Sequence, residues 1–226
     1  MDKFIFKEEA KQKLHGQYLK IIIFLVVTTV IVGLLIYLSG VFSFKKDDQG
    51  RIVFLISLKL PLLSFINVIT FIFGSAFAYS RASVFIDVLN GKDIDLFQKF
   101  KLGFVNELVR SVILVFVRNI KVIFWSLLLL IPGIIKSYSY SMAIFLTHKK
   151  PSIGPIEALS ISKDITVGYK KGLFLLDLSF VWLYFVGVLT LGILWLWIIP
   201  KHLTARTFYF QAILEKSDLY SEELDR

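Results

Sequence analysis

The chain contains no cysteine and only three histidines in 226 residues. Without thiols it can form no disulfide, no thiolate zinc site, no thioether haem attachment and no cysteine nucleophile. His15, His148 and His202 are scattered, so no His-Glu-x-x-His metal pair arises. A glycine-rich phosphate loop and a Gly-x-Ser-x-Gly nucleophile elbow are missing as well. The reading is of a non-enzymatic protein with no cofactor and no metal. Charge is scarce too, at 19% of residues against about 25% in an ordinary soluble domain.

Apolar residues fill the space, at 56% of the chain with a mean hydropathy of +0.73. A water-soluble fold has nowhere to hide so much apolar surface. The 22 Phe, 9 Tyr and 4 Trp suit a lipid-facing exterior, because aromatic rings pack on acyl chains and anchor at headgroup depth. The fold class is therefore all-α, a polytopic membrane protein.

Six transmembrane helices are expected, arranged as three pseudo-repeated hairpins. Ile21 to Phe44 are 24 uncharged residues, enough for the roughly 20 that cross a hydrocarbon core. The acids Asp2, Glu8 and Glu9 ahead of them, with no small-x-small site behind, argue against a cleaved signal. A polar turn, KKDDQGR from Lys45, leads to a second run from Leu60 to Ser80 with Pro61 at a helix start. A third span runs from Ser111 to about Ile131, where Pro132-Gly133 interrupts it, and a short fourth from Ile134 to Thr147. Arg118 and Lys121 of the third are expected to snorkel to the interface. Gly172 to Pro200 carry a single charge, Asp177, and form either one overlong span or a hairpin turning near Thr190-Leu191-Gly192.

An internal repeat favours the hairpin. Ile131-Pro132 followed by GIIKSYSYSMAIFL aligns without gaps with Ile199-Pro200 followed by KHLTARTFYFQAIL, and SRASVFIDVLNGKD from Ser80 matches ARTFYFQAILEKSD from Ala205. The lead-ins to the odd-numbered spans each contain a glycine, Gly16, Gly103 or Gly168. They read as amphipathic cytoplasmic helices: Phe6, Ala10, Leu14, Tyr18 and Ile21 share one face, as do Phe97, Phe100, Phe104 and Leu108. In the third lead-in Pro155 suits a first helical position and Glu157 complements the helix N-terminus. The domain plan is an interfacial helix over 1–20, one membrane domain over 21–214 and a polar cytoplasmic tail over 215–226.

This topology places 21 of the 26 Lys and Arg on one side, so both termini are expected in the cytoplasm. The net charge of +9 then points to anionic lipid at the cytoplasmic face rather than to nucleic acid. Gly168-x-x-x-Gly172 is a small-residue signal for a homo-oligomer, filled by Tyr169, Lys170 and Lys171.

The stretch WSLLLLIPGIIKSYSYSMAIFL from Trp125, followed by ALSISKDITVGYKKGLFLLDLSFVWLYFVGVLTLGILWLWIIP, resembles the bacterial domain-of-unknown-function family numbered 975. The likeness runs from about Ala10 to about Tyr209. More distantly the pattern is similar to the membrane domain that accompanies some glycerophosphodiester phosphodiesterases. Leu194 and Lys201 depart from the family pattern. The resemblance implies a multi-pass protein of the bacterial cytoplasmic membrane and brings no established reaction.

Asp177 is the sharpest single residue, because an ionisable group within a span is costly and demands a partner. Arg206 and Arg81, at corresponding repeat positions, are the candidate partners, and structural pairing ranks ahead of transport chemistry. Lys136, Tyr138, Tyr140, Lys201, His202 and Arg206 would add a polar lining on the fourth and sixth helices. The serines Ser137, Ser139 and Ser141 read as small residues that allow close helix packing. The expected function is binding, sensing or moving an amphiphilic or anionic small molecule or lipid. A second class stays open, an accessory or protective, immunity-like protein that contacts a partner protein or membrane-active peptide.

Overall fold

The computed structural model describes residues 3–41, 45–46, 52–53 and 56–217. The described residues are almost entirely helical. Helix α1 (Lys3–Leu14) leads into α2 (Tyr18–Val41); a two-residue antiparallel pairing of β1 (Lys45–Lys46) with β2 (Ile52–Val53) precedes α3 (Ile56–Leu89). Then follow α4 (Leu96–Lys101), a π-helical turn at Leu102–Asn106, α5 (Leu108–Leu128), α6 (Leu130–Ser139), α7 (Ala143–Lys149), α8 (Pro155–Ile165), α9 (Lys170–Leu189) and α10 (Trp195–Lys216).

Three segments are long and apolar enough to cross a membrane: Tyr18–Leu38, Phe65–Leu89 and Lys170–Leu189. Six equivalent spans in three like hairpins are therefore not what the structure supports. The other expected spans are helical but differ in kind. Helix α5 carries Arg110, Arg118 and Lys121, and α10 carries Lys201, His202 and Arg206. The expected fourth span is broken into α6 and α7 at Tyr140–Met142. The second starts at Ile56, ahead of Pro61. Beyond residue 217 the expected tail lies outside the described residues, as does most of the KKDDQGR turn.

The breaks have local causes. Leu129 is extended (φ −161, ψ 142) between α5 and α6, three residues before Pro132, whose missing N–H costs nothing in a first helical turn. At Gly133 an added Cβ would stand 2.8 Å from Ser126 Cα, so only glycine lets α6 fold back this closely on α5. The carbonyl of Ser139, freed where α6 ends, accepts from Ser162 Oγ of α8 at 2.8 Å. Ser139 and Ser162 are both fully buried. Glu157 caps the start of α8 by accepting from Gly154 N at 3.2 Å, with Pro155 at the first helical position.

Gly172 to Pro200 is a hairpin, turning over Thr190–Leu194 with Leu191 and Gly192 in the left-handed region (φ 53 and 86). Trp195 packs on Gly187 and donates its indole N–H to Tyr184 O at 3.1 Å, closing the two helices. Gly172 is used within the chain: it leaves room for Tyr209, whose hydroxyl donates to Tyr169 O at 3.2 Å. Within the Gly168-x-x-x-Gly172 pattern, Gly172 is thus a seat for α10, whereas an added Cβ at Gly168 would meet nothing within 4 Å. Gly16 and Gly168 share a positive φ (84 and 83), whereas Gly103 serves close packing on Ala76 and Ser80.

The lead-in faces are covered by protein. Phe6, Ala10 and Leu14 of α1 are buried, with Phe6 edge-on to Tyr209 at 5.3 Å. Phe100 and Phe104 join Phe24, Phe73 and Phe77 in one aromatic cluster between α2, α3 and α4, while Phe97 stays exposed. One core cluster runs from α1 through α7, α8, α9 and α10, around Met142, Leu146, Leu159, Leu176 and Ile213, and a second joins Leu14, Ile21, Phe24, Val84 and Val88.

Gly133→Val forces Ser126 and its backbone away. The expected cost is about 1–3 kcal/mol, the usual range for overpacking, read as a lower melting temperature in detergent.

Candidate functional site

Helix α9 brings Asp177 about 10 Å along its length, at 1.5 Å per residue, where helical spacing puts Phe180 and Tyr184 on the same side. Helix α10 presents His202 and Arg206 one turn apart. Pro200 removes one intrahelical hydrogen bond just before them.

These residues close into one network. His202 Nε2 lies 2.8 Å from Asp177 Oδ1, and Tyr184 OH lies 2.9 Å from His202 Nδ1. A carboxylate only accepts, so Nε2 carries a proton and donates it, while Nδ1 shares a hydrogen bond with the tyrosine hydroxyl. Asp177 Oδ2 accepts from Tyr138 OH at 3.0 Å and pairs with Arg206 at 3.3 Å. The imidazole stacks on Phe180 at 4.6 Å, and the other face of Phe180 meets Lys7 of α1, 4.5 Å from the ring centre. Asp177 and His202 side chains are only 16% and 14% exposed, so the pair is well shielded. The chain of groups from Tyr184 through His202 to Asp177 and Tyr138 can relay a proton. Among the described residues no cluster of His, Cys, Asp or Glu is suited to a metal.

Tyr138 and Arg206, which hold the same carboxylate oxygen, stand at matching positions of the repeat that starts at Ile131 and Ile199. Of the expected residues, then, Asp177, His202, Arg206 and Tyr138 come together. Lys136 does not; its ammonium sits over Trp125, 4.6 Å from the ring centre. Tyr140 is buried in the core beneath Lys121. Lys201 takes no part in the network. Tyr184 was not anticipated, although its place seven residues after Asp177, two turns along one face, was a usable signal.

Arg81 does not reach Asp177. It lines a cavity of about 340 Å³ between α3, α5, α7 and α10, together with Arg118, Arg206, Ser141, Thr207 and Phe210. Arg118 is correspondingly no snorkelling residue: its Nε is buried without a hydrogen-bond partner, and Arg206 is near enough to repel it. Among the described residues, only Arg206 of these three arginines has a carboxylate partner. The cavity was not legible in sequence, since its arginines come from three helices far apart in the chain.

Beside this region His148, just past the expected fourth span, packs on Tyr79 at 4.0 Å and donates Nδ1–H to Ile144 O at 2.8 Å. Burial pushes its imidazole down to about 4.

The family described as "Protein of unknown function (DUF975)" matches residues 105–217. The chain belongs to this family. The match takes in α5 to α10 and hence Asp177, His202, Arg118 and Arg206, and it leaves out Arg81. It does not extend to the membrane domain of glycerophosphodiester phosphodiesterases. No curated protein and no solved structure matches.

Two outcomes follow from this geometry. Asp177→Ala strands Arg206 beside an empty site and is expected to cost about 3–5 kcal/mol, as for other broken buried pairs; a double-mutant cycle with His202→Ala in detergent unfolding should show a coupling of about 1–3 kcal/mol. For His148 the unfolded imidazole, near 6.5, binds a proton before the native one, near 4. Stability is therefore full above about pH 6.5, falls as pH drops toward 4 and levels below that. His148→Phe should flatten this part of the melting profile.

Proposed function

We propose that the protein is a non-enzymatic, multi-pass protein of a bacterial cytoplasmic membrane that binds an anionic group between its helices, with both termini in the cytoplasm. The observation that carries this reading is the cavity walled by Arg81, Arg118 and Arg206. Two of these guanidinium groups have no carboxylate among the described residues. Arg118 Nε is buried without a hydrogen-bond partner; a sheltered charge of that kind is expensive, and an anion entering the cavity lowers that cost. Arg forks also match phosphate and carboxylate oxygens in pairs.

The three long apolar segments support membrane insertion, as do the exposed apolar side chains along α2 and α9, such as Val30, Ile36, Leu178 and Trp182. Helices α5, α6–α7 and α10 complete a six-helix topology in which Arg118 and Arg206 face the cavity. The excess of Lys and Arg on one side sets the orientation. Asp177 serves as an anchor: through Tyr138, His202 and Arg206 it fixes the helix whose guanidinium faces the ligand.

Inorganic phosphate titrated onto the protein in zwitterionic-lipid nanodiscs should bind, and Arg118→Gln should weaken it by about 10-fold or more, since one charge-assisted hydrogen bond is worth about 1.5–3 kcal/mol. Equal affinity in Arg118→Gln and Arg206→Gln would sink the reading.

A further inference from the structure

The cavity has a mostly apolar neighbour. A second groove of about 260 Å³ lies between α2 and α3, lined by Thr28, Thr29, Val32, Gly33, Gly74 and Arg81 among others. Arg81 lines both spaces, so the cationic pocket and the apolar groove meet at one side chain. From Arg81 back to Gly74 is seven helical residues, about 10 Å at 1.5 Å per residue. The groove's far wall follows α2 from Thr28 to Ile36, about 12 Å on the same scale. It exists because the facing positions on both helices are glycines: an added Cβ at Gly33 or Gly74 would meet nothing within 4 Å.

The geometry points to a single-chain anionic amphiphile as the ligand, its phosphate or carboxylate head among Arg81, Arg118 and Arg206 and its alkyl tail in the α2–α3 groove. This rests on the anion reading above and adds the tail. Charge complementarity selects the head. The tail follows from the shape, because an apolar groove that opens from a cationic pocket satisfies both halves of an amphiphile at once, and neither half alone. A bare anion leaves the groove empty, and a neutral hydrocarbon leaves the guanidinium groups uncompensated. The groove lies between two helices in contact, a volume of about 260 Å³ that suits one alkyl chain, and the glycines that line it are on the apolar segments Tyr18–Leu38 and Phe65–Leu89. An amphiphile already in the membrane therefore enters with its tail parallel to the helices and its head at the depth of Arg81.

The test compares inorganic phosphate with dodecyl phosphate, titrated onto wild type, Gly33→Leu, Gly74→Leu and Arg118→Gln in zwitterionic-lipid nanodiscs. Leucine at either glycine meets open space, so both variants should keep the wild-type melting temperature without ligand. The expected result is that each leucine weakens dodecyl phosphate by at least 10-fold and leaves inorganic phosphate unchanged, whereas Arg118→Gln weakens both. If the leucines leave dodecyl phosphate untouched while Arg118→Gln still weakens both probes, the tail site is wrong and the anion site stands. If Arg118→Gln affects neither probe, the anion reading falls and the amphiphile with it. A preference for inorganic phosphate over dodecyl phosphate in the wild type would assign the pocket to a free anion and overturn the amphiphile.

Discussion

A carboxylate in the middle of an apolar helix has to be held, and the last third of this chain is organised around holding Asp177. Its two oxygens are held by residues of three helices: His202 and Arg206 from α10, Tyr138 from α6, and through the imidazole Tyr184 of α9 itself. Each partner is shared with something else. His202 is clamped between Tyr184 and Phe180, Phe180 in turn meets Lys7 of α1, and Arg206 reaches into the cavity. Loss of the carboxylate thus loosens α6, α9 and α10 together, and the first helix with them.

The same network decides where the free positive charge lies. Asp177 pairs with Arg206, so the arginines lining the cavity that have no carboxylate partner among the described residues are Arg81 and Arg118. Arg206 touches both the acid and the cavity, which would tie stability to binding under the proposed reading.

Helix breaks do comparable work for the backbone. The hairpin of α5 and α6 depends on Gly133 lying against Ser126, and the freed carbonyl of Ser139 is satisfied by Ser162. The serines expected to permit close packing do so in part by hydrogen bonding: Ser139 Oγ donates to Ile135 O and Ser141 Oγ to Tyr138 O, each at a helix end. In the first half of the chain the aromatic cluster around Phe77 plays the corresponding part, filling the space between α2, α3 and α4.

Hydropathy alone determined that the chain is helical and where its most apolar segments lie, because a lipid-crossing helix needs a long uncharged run and few other structures produce one. It also singled out Asp177, with Arg206 and Arg81 as candidate partners, since a lone acid in such a run requires one. Tertiary structure decided everything that depends on which helices touch. Arg81 and Arg206 look equivalent in sequence, yet only one reaches the acid; Arg118 looks like a snorkelling charge, yet it turns into a cavity. Lys136 looks like a lining residue, and a tryptophan one turn away in space takes it instead. Period and composition describe one helix at a time, whereas a site is made where separate helices meet, at distances that no spacing within a single helix specifies.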